Sequence, residues 1–118
     1  MIEEISTEDA LSGAIEVVNG IVAVPKDEHE IRPCLDCTRS GLNGAMAPWG
    51  ISLPTIIDFL SFLHPTFELG KRDFRHGFHH LTVRQDDRRF LGFRFPGSEK
   101  FGRWRAVPFG MSQSLGRF

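Results

Sequence analysis

Tyrosine is absent from the 118 residues, and cysteine occurs only twice. Two cysteines are too few for a disulfide scaffold. Cys34 and Cys37 also stand too close for an easy structural bridge, so free thiols in a reducing, intracellular compartment are expected. No apolar run reaches the ~18 residues that a membrane-spanning helix needs. The amino-terminal stretch "MIEEISTEDA" is acidic, unlike a secretory signal. Internal repeats and low-complexity segments are missing as well. Lysine and arginine are scarce at first and then abundant. Residues 1–70 hold 3 of them against 11 Asp and Glu, a balance of −8, whereas residues 71–118 hold 11 against 4, a balance of +7. Such a split suits either a polyanion surface in the second half or two faces of one domain that neutralise each other. Length and an ordinary 41% hydrophobic content give one small domain with a modest core.

Local patterns predict mixed α and β structure. Ser6 or Thr7, followed by acids, opens a short helix over 7–12 that Gly13 stops. Asn19-Gly20 predicts a hairpin turn. "IVAVPKDEHEIRPCLDC" predicts a hairpin with a charged tip over Asp27–Glu30 and a strand returning from Ile31. "TRSGLNGAMAPWG" is expected to be irregular. "SLPTIIDFLSFLH" is the clearest helix, with Pro54 in its first turn and Ile56, Phe59, Leu60 and Leu63 along one face. "TFELGKRDF" reads as a strand ending near Asp73, and "HHLTVRQ", "RRFLGFRF" and "RWRAVPFG" read as further strands. In the last two, Leu91, Phe93 and Phe95 share a face away from Arg94, and Trp104 and Ala106 oppose Arg103 and Arg105. Hairpin-linked strands with one firm helix indicate an α+β fold.

Several residues carry chemistry. A carboxylate such as Asp73 at a strand end suits a hard cation, Mg²⁺, which takes one or two protein carboxylates and leaves other positions to phosphate and water. Lys71, Arg72 and Arg75 offer the plainer alternative of a solvated charge cluster. Lys26 and Arg32 flank the tip "DEHE" on facing strands. They suit a triphosphate, one as a point charge and one as a fork, or are simply offset by Asp27, Glu28 and Glu30. Cys34 and Cys37 with His76, His79 and His80 make a poor zinc pattern, because the gap from Cys37 to His76 is far longer than a finger's. The histidines are read instead as lining a turn. Phe78 is either an aromatic plate beside a nucleotide sugar or core. In "PFGMSQS", Gly110 permits close backbone approach to a base or template, or simply makes a turn.

The order of these segments resembles that of reverse transcriptases, most closely those of LTR- and DIRS-type retrotransposons. "VPKDEHEIRPCLDCTRSGLN" is similar, with small variations, to their fingers motif, R-P-x-x-D-x-R-x-x-N after a basic residue and a short tip. "ISLPTIIDFL" is similar to the linker and helix that follow. "ELGKRDFRHGFHHLTVRQDDRRFLGFRF" looks like motif A, K-x-D-L-x-x-G-F-H-x-I with its trailing acidic turn. "WRAVPFGMSQS" looks like motif B, W-x-x-L-P-F-G-L. The likeness runs from about residue 10 to residue 114. It implies one partial domain over 1–118, a fingers hairpin and linker helix over about 10–70 and part of a right-hand palm over about 67–118.

The resemblance implies roles at matching positions. Asp73 would be the first catalytic aspartate, a ligand of both magnesium ions, and the backbone carbonyl of Phe74 would help hold one of them. Lys26 and Arg32 would contact the triphosphate of an incoming deoxynucleotide, with His76 and Gly77 beneath it. Phe78 would exclude a ribose 2′-hydroxyl. Phe109 and Gly110 would border nucleotide and template, while Asp36, Arg39 and Asn43 would build the fingers motif. RNA or DNA template-primer would lie on the basic second half, and the rest of a polyprotein would be a further partner. The family also uses a later Y-x-D-D hairpin that these residues do not contain, and Asp86-Asp87 match only the turn after motif A. Leu115 and Gly116 depart from the usual Pro and Ala. The chain alone is therefore expected not to polymerise DNA, since one aspartate does not organise two ions. The alternatives are a non-catalytic nucleic-acid-binding module or a degenerate retroelement relic.

Overall fold

The computed structural model describes residues 1–47, 50–112 and 114. The expectations for Leu115, Gly116 and the "PW" of "APWG" lie outside them. Among the described residues, five strands form one sheet: β1 Ile2–Ile5, β2 Val18–Pro25, β3 Ile31–Asp36, β4 Gly92–Arg94 and β5 Phe101–Trp104, in the order β1-β5-β4-β2-β3. Neighbours are antiparallel except β2 and β4, which run parallel with Val18 opposite Gly92 and Asn19 opposite Phe93. Short helices among the described residues accompany the sheet: α1 Thr7–Asp9, α2 Leu42–Ala45 and α3 Ile56–Phe62. The architecture is α+β. No helix among the described residues is long and apolar enough to cross a membrane.

The core follows from strand alternation. Phe93 and Trp104 face inward from β4 and β5 and pack with Leu35, Cys37 and Leu91. Ile21, Leu42, Val83, Phe95 and Met111 close over this cluster. Complete burial of a side chain the size of Phe93 contributes roughly 1.5–3 kcal/mol. Gly102 leaves it room, because a Cβ there would come within 2.5 Å of Phe93 Cζ.

The hairpin with its tip at 27–30 is present, with Val24 opposite Arg32 and Pro25 opposite Ile31. Asp27 shapes the tip by accepting from the backbone N–H groups of His29 and Glu30, both at 2.9 Å. Ser6 caps α1, accepting from Asp9 N at 3.1 Å. The chain then turns through 10–14 and is stopped by Gly13 at φ 106°. The predicted α3 is present too, opened by Thr55 rather than Pro54 in a reciprocal capping box with Asp58.

Other expectations are corrected. Asn19-Gly20 makes no hairpin and lies inside β2. Asn19 is only 3% exposed. Its amide donates to the carbonyls of Phe90 and Gly92 at 2.9 and 3.0 Å and accepts from Ser40 Oγ at 2.6 Å. A turn-forming residue is thus held extended by long-range bonds that outweigh its local preference. "TFELGKRDF" forms no strand, because no neighbouring strand satisfies its backbone. "HHLTVRQ" becomes a 3₁₀ turn over Gly77–His80 and then a single bridge from Thr82 to Ala106. "RRFLGFRF" is half 3₁₀ turn, Gln85–Phe90, and half strand. The irregular stretch after β3 contains α2. β1, absent from the sequence reading, pairs with β5 from Ile2 opposite Trp104 to Ile5 opposite Phe101.

Candidate functional site

A cleft of about 740 Å³ opens where the β2–β3 hairpin faces the irregular segment before the 77–80 turn. Lys26, Arg32, Asp73, Phe74, His76, Gly77 and Phe109 all line it. An adjoining hollow of about 210 Å³ adds Phe78 and shares Asp73, Phe74, Gly77 and Phe109. Eight residues singled out from the sequence therefore meet in one place, although 83 positions separate Lys26 from Phe109. The ninth, Gly110, lines neither hollow and stands behind the wall.

That wall is built by close backbone packing. Leu35 N donates to the Phe109 carbonyl at 2.8 Å, locking the turn onto β3. Gly110 takes φ 101°, and a Cβ there would approach Leu35 O to 1.8 Å. Only glycine meets both demands. Asn43 holds the other side. Its amide donates to Gly110 O at 3.0 Å, and its oxygen accepts from Ser112 N at 2.8 Å. Asp36 accepts from Arg39 N at 2.9 Å and shapes the turn after β3. Asp36, Arg39 and Asn43 thus stand outside the cleft, with Asn43 supporting the position of Phe109.

Phe109 is the hub of the aromatic side. The Arg32 guanidinium lies 4.7 Å from its ring centroid, Phe78 at 5.1 Å and His79 at 5.4 Å. His79 also stacks with His76 at 5.7 Å and meets Trp104 at 5.2 Å. His76 has left-handed backbone, φ 54° and ψ 45°, which starts the turn that sets these rings together. Neither ring nitrogen of His79 nor Trp104 Nε1 has a hydrogen-bond partner among the described residues. Burial, and then the neighbouring His76, pull the His79 pKa below its ordinary value.

Asp73 is exposed on its irregular segment and joins no salt bridge with Lys71, Arg72 or Arg75 among the described residues. Lys26 is engaged, with Nζ 2.6 Å from Glu30 Oε2. Glu30, Arg75, His79 and Trp104 also line the cleft, and the sequence reading assigned none of them to a nucleotide site. The signal for Glu30 was present in its spacing from Lys26 across the charged tip.

No three His, Cys, Asp or Glu side chains converge as a metal cage among the described residues. Cys37 is buried and Cys34 partly so, and both are free thiols. Burial, and then Asp36, push the Cys37 thiol up to about 11, away from the thiolate that zinc requires. Of the two carboxylates in the cleft, Glu30 is held by Lys26, and the other, Asp73, with the Phe74 carbonyl suits a single Mg²⁺ that brings phosphates and water. It does not suit a two-ion centre. Comparison with known protein families, curated proteins and solved structures finds no match.

Proposed function

We propose that this chain is the fingers and part of the palm of a retroelement reverse transcriptase, an RNA-directed DNA polymerase, and that its cleft takes a deoxynucleoside triphosphate with magnesium. The observation that carries this reading is the convergence of Lys26, Arg32, Asp73, Phe74, His76, Gly77 and Phe109 on one cleft, with Phe78 next to it. The Asp73 carboxylate and Phe74 carbonyl would hold magnesium, which when bound neutralises and aligns phosphate oxygens. Arg32 presents a fork to phosphate and Lys26 a point charge. Phe78 and Phe109 offer flat apolar faces to the sugar and base. Template and primer bind the basic second half by releasing counterions. The reading places the protein inside the cell, in cytoplasm or nucleus, with the remainder of a polyprotein as partner.

With one carboxylate at the centre, the chain alone binds nucleotide and does not extend a primer. The test is titration of a deoxynucleoside triphosphate with and without magnesium. Asp73→Asn is expected to weaken magnesium-dependent binding by about tenfold or more, roughly the loss of one charge-assisted contact. Magnesium-free binding of polyanions should stay equal or tighten. Equal affinity of both proteins under both conditions would sink the reading in favour of a plain polyanion surface.

A further inference from the structure

Lys26 meets a carboxylate before any phosphate arrives. Its Nζ lies 2.6 Å from Glu30 Oε2, and both side chains line the cleft with Arg32 and Asp73. The two side chains are 41% and 42% exposed, so an anion in the cleft can reach the pair. The backbone of the tip is held independently. Lys26 N donates to Glu30 O at 2.9 Å, and Asp27 Oδ1 accepts from Glu30 N at 2.9 Å. The Glu30 carboxylate can therefore swing off Lys26 without unfolding the hairpin. Arg32 differs, since its guanidinium lies over the Phe109 ring.

The geometry points to Glu30 as a built-in competitor for phosphate, which occupies Lys26 in the empty cleft and must be displaced by any anion that takes that lysine. This inference rests on the triphosphate reading and adds to it an affinity threshold, which a polyphosphate that also reaches Arg32 clears more readily than a monophosphate. Displacing Glu30 costs every anion the same, and one long enough to reach Arg32 as well gains a second contact to offset it. The Lys26 hydrogen bond and charge also hold the Glu30 carboxyl below its ordinary pKa, so the competitor stays anionic.

The test is calorimetric titration of inorganic tripolyphosphate and inorganic phosphate, without magnesium and at low salt. The proteins are wild type, Glu30→Gln, Lys26→Ala and the double variant. Glu30→Gln should bind tripolyphosphate about two- to fivefold tighter, the scale of one exposed ion pair. Its gain for inorganic phosphate should be no larger, since the same carboxylate is displaced and its charge repels the smaller anion less. Both gains should shrink at high salt and vanish in the Lys26→Ala background. Unchanged or weaker binding by Glu30→Gln, a gain that persists without Lys26, or no tripolyphosphate binding by either protein overturns the proposal. The Asp73→Asn titration with magnesium is separate. If it alone fails, a polyphosphate cleft guarded by Glu30 remains and the polymerase reading falls.

Discussion

Phe93 and Phe59 are the same side chain in two regions of one small protein, yet Phe93 is wholly buried and Phe59 is half exposed. Phe93 sits in the sheet, flanked by β5 on one side and β2 on the other. Phe59 sits in an arm, residues 50–74, whose residues are all exposed, Ile56, Leu60, Phe62, Phe67 and Leu69 among them. The radius of gyration is 17.9 Å, against about 13–14 Å for a compact chain of this length. The local signals in the arm are good: Thr55 and Asp58 form a reciprocal cap, and the apolar spacing is helical. A helix can thus be fully specified in its hydrogen bonds and still gain nothing from burial. In the sheet, long-range pairing produces the core, and even Asn19 is recruited into it.

The sharpest way to break this contrast is to truncate both phenylalanines. Phe93→Ala should cost about 3–5 kcal/mol, measured by denaturant unfolding, and leave little folded protein. Phe59→Ala should change stability by no more than about 0.5 kcal/mol. Equal costs would show that the arm is packed in solution. Between these extremes stands Asn43, which ties α2 to the turn at 110–112. Asn43→Ala should cost about 1 kcal/mol for its lost hydrogen bonds, read as a lower melting temperature, and Asn43→Asp should recover part of the loss by keeping the acceptor for Ser112 N.

The smallest expected effect is a pH dependence confined to the sheet side. The His79 pKa is lowered on folding by burial first and by His76 second. The unfolded chain then binds more protons than the folded one around the ordinary histidine value. Stability from this group is therefore complete above about pH 6.5 and is lost as pH falls through that value toward the lower folded pKa. His79→Phe should flatten that part of the profile when melting temperatures are compared from pH 5 to 8. An identical slope in both proteins would show that His79 does not carry it.

By itself the sequence determined the elements that close within a few residues: the Lys26–Arg32 hairpin, the Ser6 cap, α3 and the alternation that buries Phe93 and Trp104. Each is settled by turn chemistry, capping or a two-residue period, which are properties of neighbours along the chain. It also marked the candidate residues of the cleft by type and order. Tertiary structure alone decided that Asn19 runs straight through a strand, that Ile2–Ile5 becomes a sheet edge, and that "TFELGKRDF" stays irregular. It also decided that Asp73 lines one cleft with Lys26 and Arg32 while Glu30 sits on the lysine. Those outcomes depend on which distant backbone group or charge arrives alongside, and no local window contains that partner.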